Sequence, residues 1–371
     1  MKKLGVLVLS RPENGGTFQY TLSMVEALTM MKGWSITLYT EADNSNYNSF
    51  GFPVKYVGAS PSTWPLQTLA AYAGIKFREP FPQEELILAP IYSPVLLHTR
   101  KPFVYTLHDV QEYYFPENFS RAQKIWRKQI HLLLTKRATR IICESNFVRK
   151  DIERFLGVPS KKISVIVAPP LQQQETHYDR AQLDAIRRKY NIEGRYFFYP
   201  AQFWLHKNHA RLVEAFAKIA ERFDDVSLVL TGKKRDEFEN VFSLVAKLQL
   251  QNRVIHTGYV DNEDLPGLYQ NAYALVMPSL FESVSIPVYE AFLNRTAVCC
   301  SNVVALPEQV GDAGLLFDPR SVDSITDAMT RVMENPALRD RLVEAGTLQI
   351  SKVTTASYAK ELHEMLGKIL E

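Results

Sequence analysis

Short apolar runs alternate with amphipathic segments along almost the whole chain of 371 residues. The runs are rich in β-branched and aromatic residues, which favour strands. The amphipathic segments place apolar residues three and four positions apart, which favours helices, over Thr21–Met31, Trp126–Lys136, Ala210–Arg222 and Phe238–Leu250. Strands and helices that alternate in this way build parallel sheets covered by helices on both faces, so the sequence predicts an α/β fold.

The predicted strands fall into two groups. Those of the first half are Leu4–Leu9, Ser35–Tyr39, Val54–Val57, Leu86–Ala89, Phe103–Leu107, Arg140–Cys143 and Ile163–Val167. Those of the second half are Tyr196–Tyr199, Ser227–Thr231, Val254–Thr257, Ala274–Met277 and Thr296–Cys300. A chain of this length exceeds what one hydrophobic core usually organises, which indicates two domains.

The expected hinge is Ala168-Pro169-Pro170 followed by the polar run Gln172–Thr176, because the prolines stiffen the exit from a strand and the polar run has nothing to bury. We expect an N-terminal domain over residues 1–170 and a C-terminal domain over residues 178–353. Each would be a Rossmann-like, doubly wound sheet, and the two would face each other across a cleft. The last helix, about residues 354–371, is expected to pack back on the N-terminal domain.

Composition excludes several classes of protein. With 46% hydrophobic and 22% charged residues, the chain does not have the composition of a disordered, collagen-like or coiled-coil protein. Three cysteines do not suggest a disulfide framework and fit a reducing compartment. The net charge of +3 implies no polyanionic partner such as nucleic acid. The apolar run Leu4–Leu9 is too short for a signal-peptide core, and no run is long enough to span a membrane, so we expect a cytoplasmic protein.

The charge is unevenly distributed. Between Arg121 and Lys162, twelve lysines and arginines accompany three acidic residues. One interpretation is that these basic residues simply form the solvated face of an α/β domain. They can also attract anionic lipid, and Trp126, Ile130 and Leu132–Leu134 interleave with them as in an interfacial helix. The second interpretation predicts a peripheral location on the inner face of the membrane.

Residues that could bind a ligand or take part in catalysis follow several predicted strands, at the sheet edge where ligands of parallel α/β sheets bind. Asn14-Gly15-Gly16-Thr17 follows the first strand, and its glycines permit close approach of backbone to a ligand. The pattern G-x-G-x-x-G is absent, which argues against a classical dinucleotide site, and a tight turn alone would also explain the glycines. His108-Asp109 follows Phe103–Leu107 and could orient a hydroxyl group, or merely cap the next segment.

A basic segment follows the predicted strand Tyr196–Tyr199. Lys207 lies just before the helix Ala210–Arg222, for which Asn208 is the predicted N-cap. An ammonium group beside a helix N-terminus suits an anion such as a diphosphate. His206, His209 and the distant His256 have no carboxylate or cysteine at ligand spacing, so a metal site is the weaker interpretation.

The segment from Met277 to Ala291 contains two glutamates, Glu282 and Glu290, eight positions apart. Pro287 between them is placed to begin a helix. The backbone from Ser283 to Ile286 could then point N–H groups at an anion, with a carboxylate on each side to accept hydrogen bonds from sugar hydroxyls. The spacing of two glutamates alone could arise by chance, and the flanking sequence gives it weight.

Together these motifs resemble glycosyltransferase family 4, and in particular its bacterial mannosyltransferase-like members. The family pattern of Pro-Ser followed by two glutamates is present as Pro278-Ser279, Glu282 and Glu290-Ala291. Gly15-Gly16 resembles the family's glycine pair, Thr106–Asp109 its histidine loop and Lys207-Asn208 its phosphate-binding lysine. The similarity extends through Arg140–Pro159 and Leu306–Pro319 over nearly the whole chain.

The resemblance implies a retaining hexosyltransferase of the GT-B fold. Its C-terminal domain would bind a GDP- or UDP-linked sugar, with GDP-mannose favoured, and its N-terminal domain would face a glycan or lipid-linked glycan acceptor. No cofactor is implied beyond this donor. No metal is required either, because Lys207 and a helix dipole would take the role of the cation.

The resemblance also assigns roles to single residues. Lys207 and the amides of Ser283, Val284, Ser285 and Ile286 would stabilise charge on the leaving diphosphate. Glu282 would hold hydroxyls of the transferred sugar, and His108 would contact the sugar or the diphosphate. The remaining donor contacts would be the ribose at Glu290, the phosphates at Gly15-Gly16 and the base near Gly258-Tyr259-Val260.

Two departures from the family pattern concern the donor site. Gln202, a predicted donor-binding residue, stands where the family often has an arginine, so one positive charge near the diphosphate is missing. Ser283-Val284-Ser285 replaces the common Gly-Phe-Gly after Glu282. These departures leave a catalytically weak nucleotide-sugar-binding subunit as an alternative to the transferase. A GT-B-fold sugar-nucleotide epimerase, which shares the two-domain architecture, is another alternative.

Three residues are predicted on the acceptor side. Asp109, Tyr113 and Tyr114 follow the histidine loop, where the tyrosines could stack on an acceptor sugar. Packing of the same aromatic rings under the loop explains them equally well.

Overall fold

The computed structural model describes residues 1–41, 44–57, 63–75, 78–171 and 177–371. The chain divides into two compact units: Met1–Leu171 together with Val353–Glu371, and Gln172–Lys352. The segment Met1–Leu171 ends with buried residues, Ala168, Pro169 and Pro170, just before Leu171. The polar run of the expected hinge, residues 172–176, lies outside the described residues.

The first unit is built on a parallel sheet. Within the described residues it has seven strands in the order β3-β2-β1-β4-β5-β6-β7, so the first strand lies in the interior of the sheet. Leu4 of the first strand lies opposite Ile36 and Leu86 of its two neighbours, and all three side chains are buried. The strands are β1 Lys2–Leu7, β2 Trp34–Thr40, β3 Val54–Tyr56, β4 Leu86–Ala89, β5 Phe103–Thr106, β6 Arg140–Cys143 and β7 Ile163–Val165.

Helices cover both faces of this sheet. On one face, α1 (Gly16–Thr29) packs with the C-terminal helix α13 (Thr355–Gly367), and Trp34 donates a hydrogen bond from Nε1 to His363 Nδ1 at 3.2 Å. On the other face lie α2 (Trp64–Tyr72), α3 (Arg121–Arg137) and α4 (Asn146–Leu156). Apolar cover on both faces explains why the interior strands β4 and β5 are buried along their whole length.

The second unit repeats this architecture. In the part of the chain that the structure describes, its sheet has six parallel strands in the order β10-β9-β8-β11-β12-β13. The strand Gly314–Phe317 was not predicted; its apolar run is only three residues long, and Phe317 is its one buried residue. The strands are β8 Arg195–Pro200, β9 Val226–Thr231, β10 Val254–His256, β11 Ala274–Met277, β12 Val298–Ser301 and β13 Gly314–Phe317.

The helices of the second unit pack closely on its sheet and on each other. A Cβ atom at Gly346 would lie 2.4 Å from the Phe292 ring, so this helix pair approaches only because residue 346 is glycine. The helices are α5 Arg180–Lys189, α6 His209–Ala220, α7 Phe238–Lys247, α8 Leu265–Asn271, α9 Ile286–Leu293, α10 Leu306–Val310, α11 Val322–Glu334 and α12 Pro336–Ile350.

Two further findings concern the whole described chain. Cys143, Cys299 and Cys300 are free, buried thiols that lie in strands. Among the described residues, no helix combines the length and the apolar character that crossing a bilayer demands.

Candidate active site

Lys207 and Glu282 form an ion pair in the second unit, with Lys207 Nζ 2.5 Å from Glu282 Oε1. Lys207 ends a short 3₁₀ turn after β8, and Glu282 follows β11. These strands are neighbours at the point where the strand order reverses, which is where ligands bind in doubly wound sheets. The two side chains are 20% and 10% exposed, so the pair is largely buried but still reached by solvent.

Asn208 fixes the segment that carries Lys207. Its side-chain nitrogen donates to the carbonyl oxygens of Pro278 and Pro319 at 2.9 and 2.8 Å, which ties the β8 loop to the ends of β11 and β13. Asn208 occupies the N-cap position of α6, as predicted, but its side chain makes no capping hydrogen bond. The reason is its backbone, which is left-handed at φ 61°, and the use of its amide elsewhere.

Tyr199 adds a second support that the sequence did not indicate. Its phenol donates to the Lys207 carbonyl oxygen at 2.9 Å and shares a hydrogen bond with Ser279 Oγ at 3.0 Å. A buried residue at the end of β8 therefore holds the backbone of Lys207 against the loop that leads to Glu282.

Glu290, the second glutamate of the motif, lies in α9 and accepts a hydrogen bond from Tyr269 Oη at 2.7 Å through Oε2. Its other oxygen has no hydrogen-bond partner among the described residues. Burial raises the pKa of Glu290, and the Tyr269 hydrogen bond opposes this only in part. The structure thus provides a carboxylate that is costly to ionise, with one acceptor atom left for a ligand hydroxyl.

Part of the backbone between the two glutamates is already hydrogen-bonded within the protein. The Ser285 N–H donates to Gln309 Oε1 at 2.9 Å, and Gln309 Nε2 donates to the Ser285 carbonyl at 2.7 Å. The Ser285 amide is therefore not available to an anion, which corrects the expectation for this residue. No hydrogen bond from the N–H of Ser283 or Val284 occurs within the described ranges. The helix begins at Ile286, one residue before Pro287.

The loops after β8, β9 and β10 are joined by hydrogen bonds. Gly232 donates from its N–H to the Gly258 carbonyl at 3.0 Å, and Gln202 accepts a hydrogen bond from Arg235 Nε at 2.9 Å. Tyr259, the predicted neighbour of the base, is 70% exposed. Gln202 and Tyr259 thus lie on loops at the same edge of the sheet as Lys207.

The first unit contains the predicted His108, which lies after β5. Its Nδ1 is 2.9 Å from Glu144 Oε2 and its Nε2 is 3.0 Å from the Pro90 carbonyl oxygen. The ring of Tyr20 packs against it edge-on at 4.6 Å. Burial alone would lower the pKa of His108, but the Glu144 carboxylate outweighs this and raises it.

The acceptor-side residues have partners within the first unit. Asp109 accepts a hydrogen bond from the Gln111 N–H at 3.0 Å and lies 3.6 Å from Arg127 Nη2. Tyr113 stacks on Phe155 of α4 at 4.5 Å, and Tyr114 donates to Asp151 Oδ1 at 2.7 Å. The structure therefore favours packing for the two tyrosines.

The glycine pair begins α1. Gly15 has φ 58° and ψ −117°, a conformation that requires glycine, and it occupies the N-cap position. Gly16 is the first helical residue and is exposed. The glycine requirement of the turn thus explains Gly15, whereas the exposed Gly16 keeps side-chain atoms away from the helix N-terminus.

The histidines of the second unit do not form a metal site. The His209 ring is buried against Phe203 at 4.2 Å, and burial lowers its pKa to about 3. His256 donates from Nε2 to the Gly232 carbonyl oxygen at 3.0 Å and packs on the same Phe203 ring. No group of three or more His, Cys, Asp or Glu side chains suited to a metal ion occurs in the described part of the chain.

Two family models match the chain, each over one unit. The model described as Glycosyltransferase Family 4 matches residues 14–167, and the model described as Glycosyl transferases group 1 matches residues 183–349. The O-antigen chain mannosyltransferase B of Escherichia coli is 30% identical over 259 residues, which are 68% of this chain and 67% of that protein. The chain belongs to glycosyltransferase family 4.

Other proteins are similar to this family 4 glycosyltransferase over most of its length. The O-antigen chain mannosyltransferase RfbU of Salmonella typhimurium is 24% identical over 89% of this chain and 91% of its own length. Among solved structures, Anabaena HepE in complex with UDP and glucose gives a TM-score of 0.79 at 18% identity, covering 99% of this chain and 100% of that one. WaaG, a glycosyltransferase involved in lipopolysaccharide biosynthesis, gives 0.70 at 15% identity, covering 98% and 99%. At these identities the structural matches establish the fold, which is GT-B.

Proposed function

We propose that this glycosyltransferase moves a hexose from a nucleoside diphosphate sugar to a glycan or lipid-linked glycan acceptor with retention of configuration. The Lys207–Glu282 pair at the β8–β11 edge carries the proposal. In a sugar nucleotide, an anionic phosphate and the sugar hydroxyls lie on either side of one glycosidic oxygen. An adjacent ammonium and carboxylate match that pattern, because the ammonium donates to the phosphate and the carboxylate accepts from the hydroxyls.

The donor would replace the ion pair without leaving either group unpaired. Lys207 would leave Glu282 and pair with the diphosphate. Glu282 would then accept hydrogen bonds from the sugar hydroxyls. The N–H groups of Ser283 and Val284 would add to the stabilisation of charge on the leaving group, which is the main electrostatic contribution in a transfer of this kind. Glu290 would accept a hydrogen bond from the ribose through its second oxygen, and Tyr259 would adjoin the base.

The reaction breaks the bond between the anomeric carbon and the diphosphate oxygen, which keeps the electron pair. The acceptor oxygen forms the new bond to the anomeric carbon and loses its proton. For retention, the acceptor approaches from the side of the departing diphosphate, so the diphosphate oxygen is the nearest base for that proton. His108, which lies 2.9 Å from Glu144 through its Nδ1, would contact the transferred sugar or the diphosphate.

The mannosyltransferase relatives favour GDP-mannose as the donor, and UDP-linked sugars are the alternative. The acceptor would be a growing polysaccharide or its lipid-linked precursor, as the O-antigen relatives suggest. Lys207 and the α9 N-terminus provide positive charge, so the proposed reaction needs no metal ion.

A lipid-linked acceptor would bring the first unit to an anionic membrane. Helix α3 contains six basic residues and no acidic one. Ile130 and Leu134 face the core, so these residues are not the interfacial surface that the sequence suggested. Instead Ile125 of α3 is exposed, as are Leu66 and Leu69 of the adjacent α2. Lipid contact would thus combine exposed apolar side chains with the lysines of α3.

The test is acceptor-dependent release of the nucleoside diphosphate. A first binding screen with GDP, UDP, ADP and dTDP identifies the base, and the matching sugar nucleotides are then supplied with lipid-linked glycan fractions. A transferase releases nucleoside diphosphate only with acceptor and forms a glycan with the same anomeric configuration as the donor. Release of free sugar without acceptor would instead indicate a hydrolysing epimerase, and binding without either reaction a non-catalytic subunit.

A further inference from the structure

We propose that Arg235 supplies a second cation for the donor diphosphate, at the place where Gln202 provides no charge. The inference deepens the proposed function and rests on it. Gln202 lies just after β8 and Arg235 lies in the loop after β9. Because β8 and β9 are adjacent parallel strands, their carboxyl ends lie side by side, and a long side chain from one loop reaches the other.

The Arg235 side chain extends towards Gln202. Arg235 Nε donates to Gln202 Oε1 at 2.9 Å, and the guanidinium carbon lies 4.9 Å from the centre of the Trp204 ring. The amide and the indole together orient the planar guanidinium group. Gln202 thus acts as a neutral anchor for the charge of another residue.

The two loops are fixed to each other by their backbones. Phe203 donates from its N–H to the Lys233 carbonyl at 3.4 Å, and Glu237 donates from its N–H to the Phe203 carbonyl at 3.1 Å. Gly232 has φ 114°, and a Cβ atom there would lie 2.7 Å from the Ala201 carbonyl oxygen. The position of Arg235 is therefore set by close backbone contact and not by the side chain alone.

The charge of Arg235 is not neutralised within the described residues. No carboxylate lies within 4.0 Å of its guanidinium, and its two terminal nitrogens have no hydrogen-bond partner there. Arg195, in the same unit, shows the usual alternative, because Asp225 accepts two hydrogen bonds from it at 2.8 and 2.6 Å. A half-buried guanidinium with two unused nitrogens is suited to a phosphate, which accepts a pair of parallel hydrogen bonds.

Arg235 and Lys207 lie at the same end of the sheet. Both side chains extend from loops at the carboxyl end of this sheet, and Gln202 and Lys207 belong to the same loop after β8. Lys207 is paired with Glu282 before the donor binds, whereas Arg235 has its full charge available. Arg235 would therefore attract the diphosphate first, and Lys207 would engage it as the Glu282 pair opens.

The experiment measures binding by calorimetry, with whichever of GDP, UDP, ADP or dTDP the wild type binds most tightly and with the matching nucleoside. Arg235→Ala is expected to weaken the diphosphate about tenfold and to leave the nucleoside unchanged, since only phosphate contacts are lost. Lys233→Ala is the matched control: it removes the same charge from the same loop, and Lys233 is exposed. It should change neither affinity more than about twofold.

A rescue separates charge from folding. Gln202→Arg in the Arg235→Ala background places a guanidinium on the β8 loop and should recover most of the lost affinity. Unchanged diphosphate binding in Arg235→Ala, or equal losses for diphosphate and nucleoside, would overturn the role of Arg235. If the wild type binds none of the four nucleoside diphosphates, the proposed function fails, and this inference fails with it.

Discussion

Glu144 holds His108 in place in the first unit, with its Oε2 2.9 Å from Nδ1 of the imidazole. The other ring nitrogen lies 3.0 Å from the Pro90 carbonyl oxygen. A carboxylate and a carbonyl are both acceptors, so both contacts are hydrogen bonds only when the ring carries two protons. These two acceptors favour the doubly protonated imidazole, and the Glu144 carboxylate raises the pKa of His108 in the same direction.

The first prediction concerns stability as a function of pH. Because the folded pKa of His108 is raised, its contribution is fully present below the unfolded value of about 6.5 and is lost as pH rises through the folded pKa. Glu144→Gln should remove this pH-dependent contribution. Tyr20 and Asp109 also face the ring and remain in the variant. Urea unfolding from pH 6 to 9 and an NMR titration of His108 measure the effect.

The control for this variant is Glu117→Gln, an exposed carboxylate of the same unit. It should retain the wild-type pH profile. A His108 pKa that stays raised in Glu144→Gln would show that the carboxylate does not hold the proton.

The second prediction concerns the ion pair. Lys207→Ala and Glu282→Gln should each lower turnover more than about tenfold, which is over about 1.4 kcal/mol of barrier. Lys218→Ala is the matched control, since Lys218 lies 2.5 Å from Asp323 in an exposed ion pair of the same unit. Steady-state kinetics on folded protein should show near-normal turnover for the control. Near-normal turnover in both site variants would remove these role assignments.

The third prediction separates stability from binding at Glu290. Burial raises its pKa, so the ionised carboxylate destabilises the fold at every pH above both its unfolded and its folded pKa. Glu290→Gln should therefore increase the free energy of unfolding at neutral pH, because the neutral amide still accepts from Tyr269. The same change should weaken nucleotide binding about tenfold, since a hydrogen bond to a charged acceptor is lost.

Tyr269→Phe gives the opposite sign in the same stability measurement. It removes the phenol that donates to Glu290 and leaves the buried carboxylate without this partner, so unfolding should require less free energy. Equal stability of Glu290→Gln and the wild type across the pH range would contradict the assigned cost of ionisation.

The residues found from the sequence share one property: they follow a strand and lie in a recognisable motif. Lys207 and Glu282 are examples, and the ends of parallel strands do bring them together. Glu144, Gln309 and Arg235 were missed, because each acts through a residue that is distant in sequence. Their types are common on any surface, and only the register of neighbouring loops shows what they contact.

Periodicity predicted which segments are helices better than it predicted what each side of a helix contacts. In α3, Ile130 and Leu134 repeat at helical spacing and are buried in the core. A sequence cannot distinguish that pattern from an interfacial helix, because both place apolar residues on one side. The informative residues were Ile125 and Leu132, which break the pattern and are exposed.

The last prediction tests the lipid surface of α3. Lys128 and Lys136 are exposed, so changing both to glutamate should greatly reduce sedimentation with vesicles that contain anionic lipid, since each basic residue near the surface contributes about 1 kcal/mol. The control changes Lys32 and Lys247, also exposed, to glutamate and gives the same net charge. Binding of the wild type should fall with salt and require anionic lipid. Equal binding of the two double variants would show that α3 does not contact the membrane.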